Sequence, residues 1–238
     1  MTVLHPRGVN HLALSTVDMK GQLTFWCDVL GCPLKALYWM HGVKGALHGF
    51  VELSPTSYVA FVQHPRNASE VVKGVTHSLG SAGPVTAGTM QHVALHVDSF
   101  EELLSIRDRI RSRGRHVLGP IDHGFIQSVY FSGPENLSLE IACGANIAAE
   151  HWVDPEVVEL CGITNDELEG LKAPAPYHHS EVLLANPAVP VADDLDPTDS
   201  GSQPNPGLGR WEQANAALLA MDDQEVWDRF SEPTPPVV

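Results

Sequence analysis

Basic residues are scarce in this 238-residue chain: 14 Lys and Arg stand against 29 Asp and Glu, a formal net charge of −15. An excess of acid on that scale argues against nucleic acid and anionic membrane surfaces as partners. Cysteine is rare too. Cys27, Cys32, Cys143 and Cys161 are the full set, and none sits in a CxxC pair. No disulfide framework is therefore evident, and scattered reduced thiols suit the cytoplasm. No apolar run approaches the ~18–20 residues that a membrane span needs. The opening stretch MTVLHPRGVNHLAL lacks the layout of a signal peptide. The expectation is a cytoplasmic protein. The chain also lacks a GxGxxG, a P-loop, and a convincing Ser/His/Asp or Cys nucleophile arrangement.

What is present is ordinary in bulk, with 43% hydrophobic and 18% charged residues, as in a soluble globular protein. Within it lies an internal repeat. VNHLALSTVD begins at Val9 and MQHVALHVDS begins at Met90, so that His11 and His92 fall on equivalent positions. Each segment alternates like a short strand, and each is followed by a helical pattern, Asp18 to Gly31 and Asp98 to Gly114. Asp18 and Ser99 are the expected N-caps; Gly31 and Gly114 are the expected stops. Further strands are expected near Leu34–Trp39, Gly49–Leu53 and Tyr58–Gln63, then near His116–Leu118, Ser128–Phe131 and Leu137–Ala142. Each unit therefore reads β-α-β-β-β. The expectation is an α+β fold over residues 1–148, with modules at about 9–64 and 90–144 joined by the Gly-, Ser- and Ala-rich segment Pro65 to Thr89.

Residues 149–238 are expected to form an extension, helical and partly irregular, wrapped on the barrel or on a partner subunit. Asp154 to Lys172 reads as one or two short helices. Ala173 to Gly209 holds many Pro, Asp, Gly and Ser and no periodicity, the pattern of an irregular strap or a disordered linker. Gly209 to Phe230 reads as helix, with apolar Trp211, Leu218, Leu219 and Trp227. Trp26, Trp39 and Phe50 are read first as core, and the arginines of RDRIRSRGR as a solvated helix face.

Alternation assigns the faces of the strands. His11, Ala13 and Ser15 share one face; so do His92, Ala94 and His96; so do Ser138, Glu140 and Ala142. The opposite faces are apolar and should pack under the helices. The polar faces should line a shared concave surface that receives His11, His92 and Glu140. A lone histidine on a strand is usually structural. Two at equivalent positions of a repeat, with a carboxylate on the closing strand, point instead to a metal. Two imidazoles and one carboxylate with open positions form the facial triad of non-haem Fe(II) oxygenases. A buried carboxylate also needs a compensating partner, and a metal would supply one.

These residues resemble the vicinal oxygen chelate superfamily, which holds glyoxalase I, bleomycin-resistance proteins and type I extradiol catechol dioxygenases. The resemblance covers about Val9 to Gly144. It implies paired βαβββ modules that form a cup-shaped mixed sheet around one metal. GPIDHGFIQSVYFSGPENLSLEIACG, Gly119 to Gly144, looks most like the extradiol signature. A histidine follows a Gly-Pro turn, then come a tyrosine, a Pro-containing turn, and a metal-binding Glu ten residues after the tyrosine. His123, Tyr130, Pro134 and Glu140 fall on those positions. By that resemblance His11, His92 and Glu140 are the metal ligands, and His123 and Tyr130 contact the bound substrate. The implied cofactor is Fe(II), with Mn(II) or another divalent ion as an alternative. The implied partners are an aromatic vicinal diol, O2 and further copies of the chain in a homo-oligomer.

The ligand count separates the branches. Glyoxalase-like members use four protein ligands, and here Ala60 or a neighbour stands opposite Glu140. Three ligands leave room for a bidentate diolate plus O2. The alternatives are a glyoxalase-like lyase, isomerase or epimerase, and a metal-free binding protein of the bleomycin-resistance kind. One position departs from the extradiol pattern: Ser57 and Tyr58 stand where the family carries an acid–base histidine. His48, His64 and His77 are the possible substitutes, and spacing does not choose among them.

Overall fold

The computed structural model describes residues 5–80, 82–144, 147–177, 184–187, 212 and 215–237. The chain divides into two compact units, Met1–Pro176 and Tyr177–Val238. The first contains both βαβββ modules. Module one runs β1 (His11–Ser15), α1 (Met19–Thr24, continued as a π-helical turn over Phe25–Leu30), β2 (Leu34–Trp39), β3 (Leu47–Ser54) and β4 (Ser57–Gln63). Module two runs β5 (Val93–His96), α2 (Phe100–Ser112), β6 (Leu118–Asp122), β7 (Ile126–Ser132) and β8 (Ser138–Gly144). Short helices α3 (Ala149–Trp152), α4 (Pro155–Leu160) and α5 (Asn165–Lys172) follow.

The helices begin and end on the expected residues. Asp18 accepts a hydrogen bond from the Gly21 amide at 2.9 Å, and Ser99 accepts one from Glu102 at 3.2 Å. Each satisfies an amide that the first turn leaves without a partner. Gly31 closes the first helix at φ 87°, a left-handed conformation that costs glycine little. The second reason for glycine there is packing, since a Cβ would meet the Arg109 guanidinium carbon at 3.0 Å. Arg109 is thus not a member of a purely solvated face. Its Nε donates to the Val29 carbonyl and its Nη2 to that of Asp28, both at 2.9 Å. These carbonyls belong to the last turn of the first helix, where cations are favoured.

The strands form two four-stranded mixed sheets, ordered β1-β4-β3-β2 and β5-β8-β7-β6. In each, the first strand lies parallel to the last and the others are antiparallel. Strand β6 starts later than the sequence suggests, at Leu118 rather than His116, and takes in Gly119 and Pro120. It is an edge strand with an irregular register between Leu118 and Ile121, and an edge tolerates the proline's missing N–H. Trp39 also departs from expectation. It ends edge strand β2 and is 68% exposed, whereas Trp26 is fully buried.

The apolar faces of both sheets and both helices merge into one core, which includes Leu14, Phe61, Leu103, Ile110, Val129 and Leu139. Phe25 lies 6.4 Å from Phe131 between ring centroids, joining helix one to sheet two. A polar relay ties the modules as well. The Trp26 indole donates to Gln22 at 3.2 Å, and Gln22 donates to Glu135 at 2.7 Å. The other Glu135 oxygen accepts from the Val17 amide at 2.7 Å. Gln22 is buried, and this relay gives its amide both partners.

In the second unit the described residues of the Gly209 to Phe230 pattern include the helices α6 (Ala216–Leu219) and α7 (Asp223–Phe230). The break comes at Asp222, which accepts from the Glu225 amide at 2.8 Å while its own amide donates to Glu225 at 3.1 Å. This capping box starts a fresh helix. Trp211 and most of Ala173 to Gly209 lie outside the described residues.

Candidate functional site

Strand β8 carries Leu139 and Ile141 into the core and Glu140 onto the opposite face. The paired residues across that face are Ala94 on β5 and Tyr130 on β7. Glu140 is only 2% exposed. Its burial is compensated on both oxygens: Ser128 Oγ donates to Oε1, and His92 Nε2 stands 3.0 Å from Oε2. An isolated carboxylate in such a place costs several kcal/mol.

Tyr130 completes this cluster. Its ring meets that of His92 edge-on, with centroids 6.2 Å apart. Its hydroxyl is 2.9 Å from His123 Nε2. Burial pushes the Tyr130 phenol above its ordinary pKa, and the nearby Glu140 carboxylate adds to the effect. His123 is presented by the turn between β6 and β7. Asp122 Oδ1 accepts from the Gly124 amide at 2.7 Å, and the His123 amide donates to the Ile126 carbonyl at 2.8 Å. Gly124 is required there, because φ is 88° and a Cβ would strike the Trp152 ring at 2.8 Å. Trp152 also packs edge-on against Phe125 at 4.6 Å. Helix α3 therefore buttresses the turn that carries His123, a role no sequence motif announced.

The structure thus joins His92, Glu140, Tyr130 and His123 on one face of the second sheet. His11 stands on the corresponding face of the first sheet, exposed, 2.9 Å from Asn10 Oδ1 through Nδ1 and edge-on to Phe50 at 5.8 Å. Among the described residues, no three or more His, Cys, Asp or Glu side chains group as a metal site. The pair that is present has the chemistry of a divalent-metal site, one imidazole nitrogen and one carboxylate oxygen. Its 3.0 Å spacing equals that of two donors at right angles, each ~2.1 Å from a shared ion.

The register also compares the modules position by position. Ala13 pairs with Ala60 as Ala94 pairs with Glu140, so Ala60 occupies the place of Glu140 in module one. By the same comparison Phe50 occupies the place of Tyr130, and His48 that of Ser128. An apolar cavity of about 650 Å3 lies elsewhere, on the helix side, lined by Leu12, Leu30, Val59, Leu95, Ile106 and Ile141 among others. None of the five predicted site residues lines it.

This architecture is an α+β fold of two four-stranded sheets built from repeated βαβββ modules. The family model of the Glyoxalase/Bleomycin resistance protein/Dioxygenase superfamily matches residues 8–141, and the chain belongs to that family. Similar solved structures include a glyoxylase/bleomycin resistance protein/dioxygenase domain from Frankia sp. EAN1pec, 15% identical, covering 59% of this chain and 99% of that one, with a TM-score of 0.48. Another is FosX, a fosfomycin resistance protein from Listeria monocytogenes complexed with Mn(II) and sulfate, 15% identical, covering 60% and 96%, with a TM-score of 0.41. A third is TnmS3, an antibiotic binding protein from Streptomyces sp. CB03234, 16% identical, covering 60% and 99%, with a TM-score of 0.42. No curated protein is a match to the chain. Among the described residues, no helix is long and apolar enough to cross a membrane.

Proposed function

We propose that the protein is an Fe(II)-dependent extradiol-type dioxygenase that opens the ring of a catechol or related aromatic vicinal diol with O2. The observation that carries this reading is the pairing of buried Glu140 with half-buried His92, with Tyr130 and His123 beside it. His11, His92 and Glu140 would hold the metal, Fe(II) foremost and Mn(II) or another divalent ion as the alternative. When bound, it supplies Lewis-acid chelation of the two diol oxygens and a route for electron density from the diolate to O2. Ala60 at the position matching Glu140 supports three protein donors rather than four, which leaves positions for both reactants.

The chain's own residues do the rest. Glu140, fixed by Ser128, keeps one oxygen turned toward His92. The Tyr130 hydroxyl and His123 Nε2 form a hydrogen-bonded pair at the edge of the same cluster, placed to stabilise charge that develops on a substrate oxygen. His11 reaches the pair when a second copy of the chain lays its first sheet opposite this chain's second sheet. Both polar faces point away from the shared core, so a homo-oligomer belongs to the reading.

The test is anaerobic loading with Fe(II), metal analysis, and O2 uptake over a panel of catechols, with mass spectrometry of the products. Ring-opened product with one O2 consumed per diol is the expected result. Stoichiometric metal binding without O2 uptake would move the protein to the glyoxalase-like branch; no metal binding would leave a binding protein.

A further inference from the structure

The apolar cavity of about 650 Å3 on the helix side takes no part in the diol reading. Its volume lies in the ~300–1,000 Å3 range of small-molecule sites. It runs along β5, an edge strand of its sheet, and all of residues 93–97 line it. The lining sorts by depth. Leu30, Val59, Leu95 and Ile141 are buried and form an apolar floor. Leu95 and Ile141 belong to the core, on the faces of β5 and β8 opposite Glu140. Burial pushes the Cys32 thiol up to about 11, so this lining residue too is uncharged at neutral pH.

The outer lining carries charge of one sign. Glu52, Asp98 and Glu102 line the cavity, and Asp98 and Glu102 are exposed to solvent. Among the described residues the lining contains no Lys or Arg. Lys35, outside it, is already 2.9 Å from Glu52 Oε2. Asp98 and Glu102 stand together at the start of α2. Glu102 Oε2 accepts from the Asp98 amide at 2.9 Å, and Asp98 Oδ1 is 3.2 Å from His96 Nε2. Two carboxylates so placed repel, and a cation between them lowers that repulsion. The neighbouring hydroxyls are engaged with backbone: Ser57 donates to the Val9 carbonyl at 2.8 Å, and Tyr58 to the Pro55 carbonyl at 3.2 Å.

We propose that this cavity is a second ligand site, for an organic ammonium ion with an apolar body. The body lies on the floor of Leu30, Val59, Leu95 and Ile141, where its burial supplies most of the affinity. The ammonium group lies beside Asp98 and Glu102 and donates to their carboxylates. An anion of the same shape meets like charge there and loses affinity. A neutral molecule of that shape gains the floor alone. This inference is independent of the dioxygenase reading.

The experiment titrates the full chain in EDTA, which keeps an amine from binding through a metal. Octylamine, 1-octanol and octanoate are the probes, alike in body and different in charge. Octylamine should saturate a single site by calorimetry. It should bind roughly 5–10-fold more tightly than 1-octanol, the scale of one or two solvent-exposed ion pairs. Octanoate should bind more weakly than 1-octanol. The octylamine preference should shrink as salt is added. Methyl NMR should show the resonances of Leu95, Ile106 and Ile141, all lining residues, shifting as the site fills. In the double variant Asp98→Asn with Glu102→Gln, octylamine should fall to within about twofold of 1-octanol, while 1-octanol binds as before.

Octanoate or 1-octanol binding as tightly as octylamine overturns the assignment of an ammonium ligand. So does an octylamine preference that survives in the double variant. Octylamine binding that leaves the three methyl signals in place overturns the site, since the amine would then sit on the acidic surface at large. The absence of saturable octylamine binding overturns the proposal outright.

Discussion

His92 Nε2 lies 3.0 Å from Glu140 Oε2, while the other oxygen of Glu140 accepts from Ser128. The carboxylate is buried and held on both sides before any third group arrives. Glu140→Gln keeps size and hydrogen bonding but removes the charge a divalent ion requires. We expect a folded variant with near-normal thermal stability that fails to retain metal through gel filtration, checked by elemental analysis. Stoichiometric metal in this variant would remove Glu140 from the ligand set.

His11 offers the sharper test of assembly. His11→Ala should leave the fold intact, since the side chain is exposed, bonded to Asn10 and edge-on to Phe50. It should nonetheless lose metal. If a second copy supplies His11, refolding a mixture of His11→Ala and Glu140→Gln chains restores some intact sites, and with them metal binding and O2 uptake. Two inactive variants that stay inactive after mixing would place all three donors in one chain.

For Tyr130→Phe, fold and metal content should stay, while kcat/KM falls by roughly 10–1,000-fold, a loss of about 1.4–4 kcal/mol of transition-state stabilisation. The hydroxyl's position 2.9 Å from His123 motivates this. Steady-state kinetics with the best diol decides it, and unchanged turnover would take Tyr130 out of the mechanism.

The thiols should react in order of exposure and acidity. Burial pushes the Cys32 thiol up to about 11, with a further contribution from Cys27. At pH 8 it therefore stays protonated and slow to alkylate. Cys143 is buried and Cys161 exposed. Peptide mapping after brief iodoacetamide treatment should find Cys161 modified first. Early labelling of Cys32 would contradict the burial seen here.

Arg109→Ala tests the joint between the helices. It removes two hydrogen bonds to the carbonyls of Asp28 and Val29. We expect a loss of about 1–2 kcal/mol, since both bonds come from a charged donor near the surface. Denaturant unfolding measures it. The metal content should not change.

The sequence by itself determined the repeat, the element order and the faces. Strand alternation has a period of two, a local property that puts Leu139 and Ile141 on one side and Glu140 on the other whatever the rest of the chain does. Caps such as Asp18 and Ser99, and the stop at Gly31, are equally local. The absence of a carboxylate in β4 was legible for the same reason, and the register put Ala60 opposite Ala13. What only the tertiary structure decided depends on contacts between distant segments. It joined His92 to Glu140 and left His11 on the other sheet's face. It set Trp152 on the His123 turn, bound Arg109 to the carbonyls of Asp28 and Val29, and tied Glu135 to Gln22 and Val17. Spacing along a strand fixes which way a side chain points; only packing between strands, helices and modules fixes what it meets there.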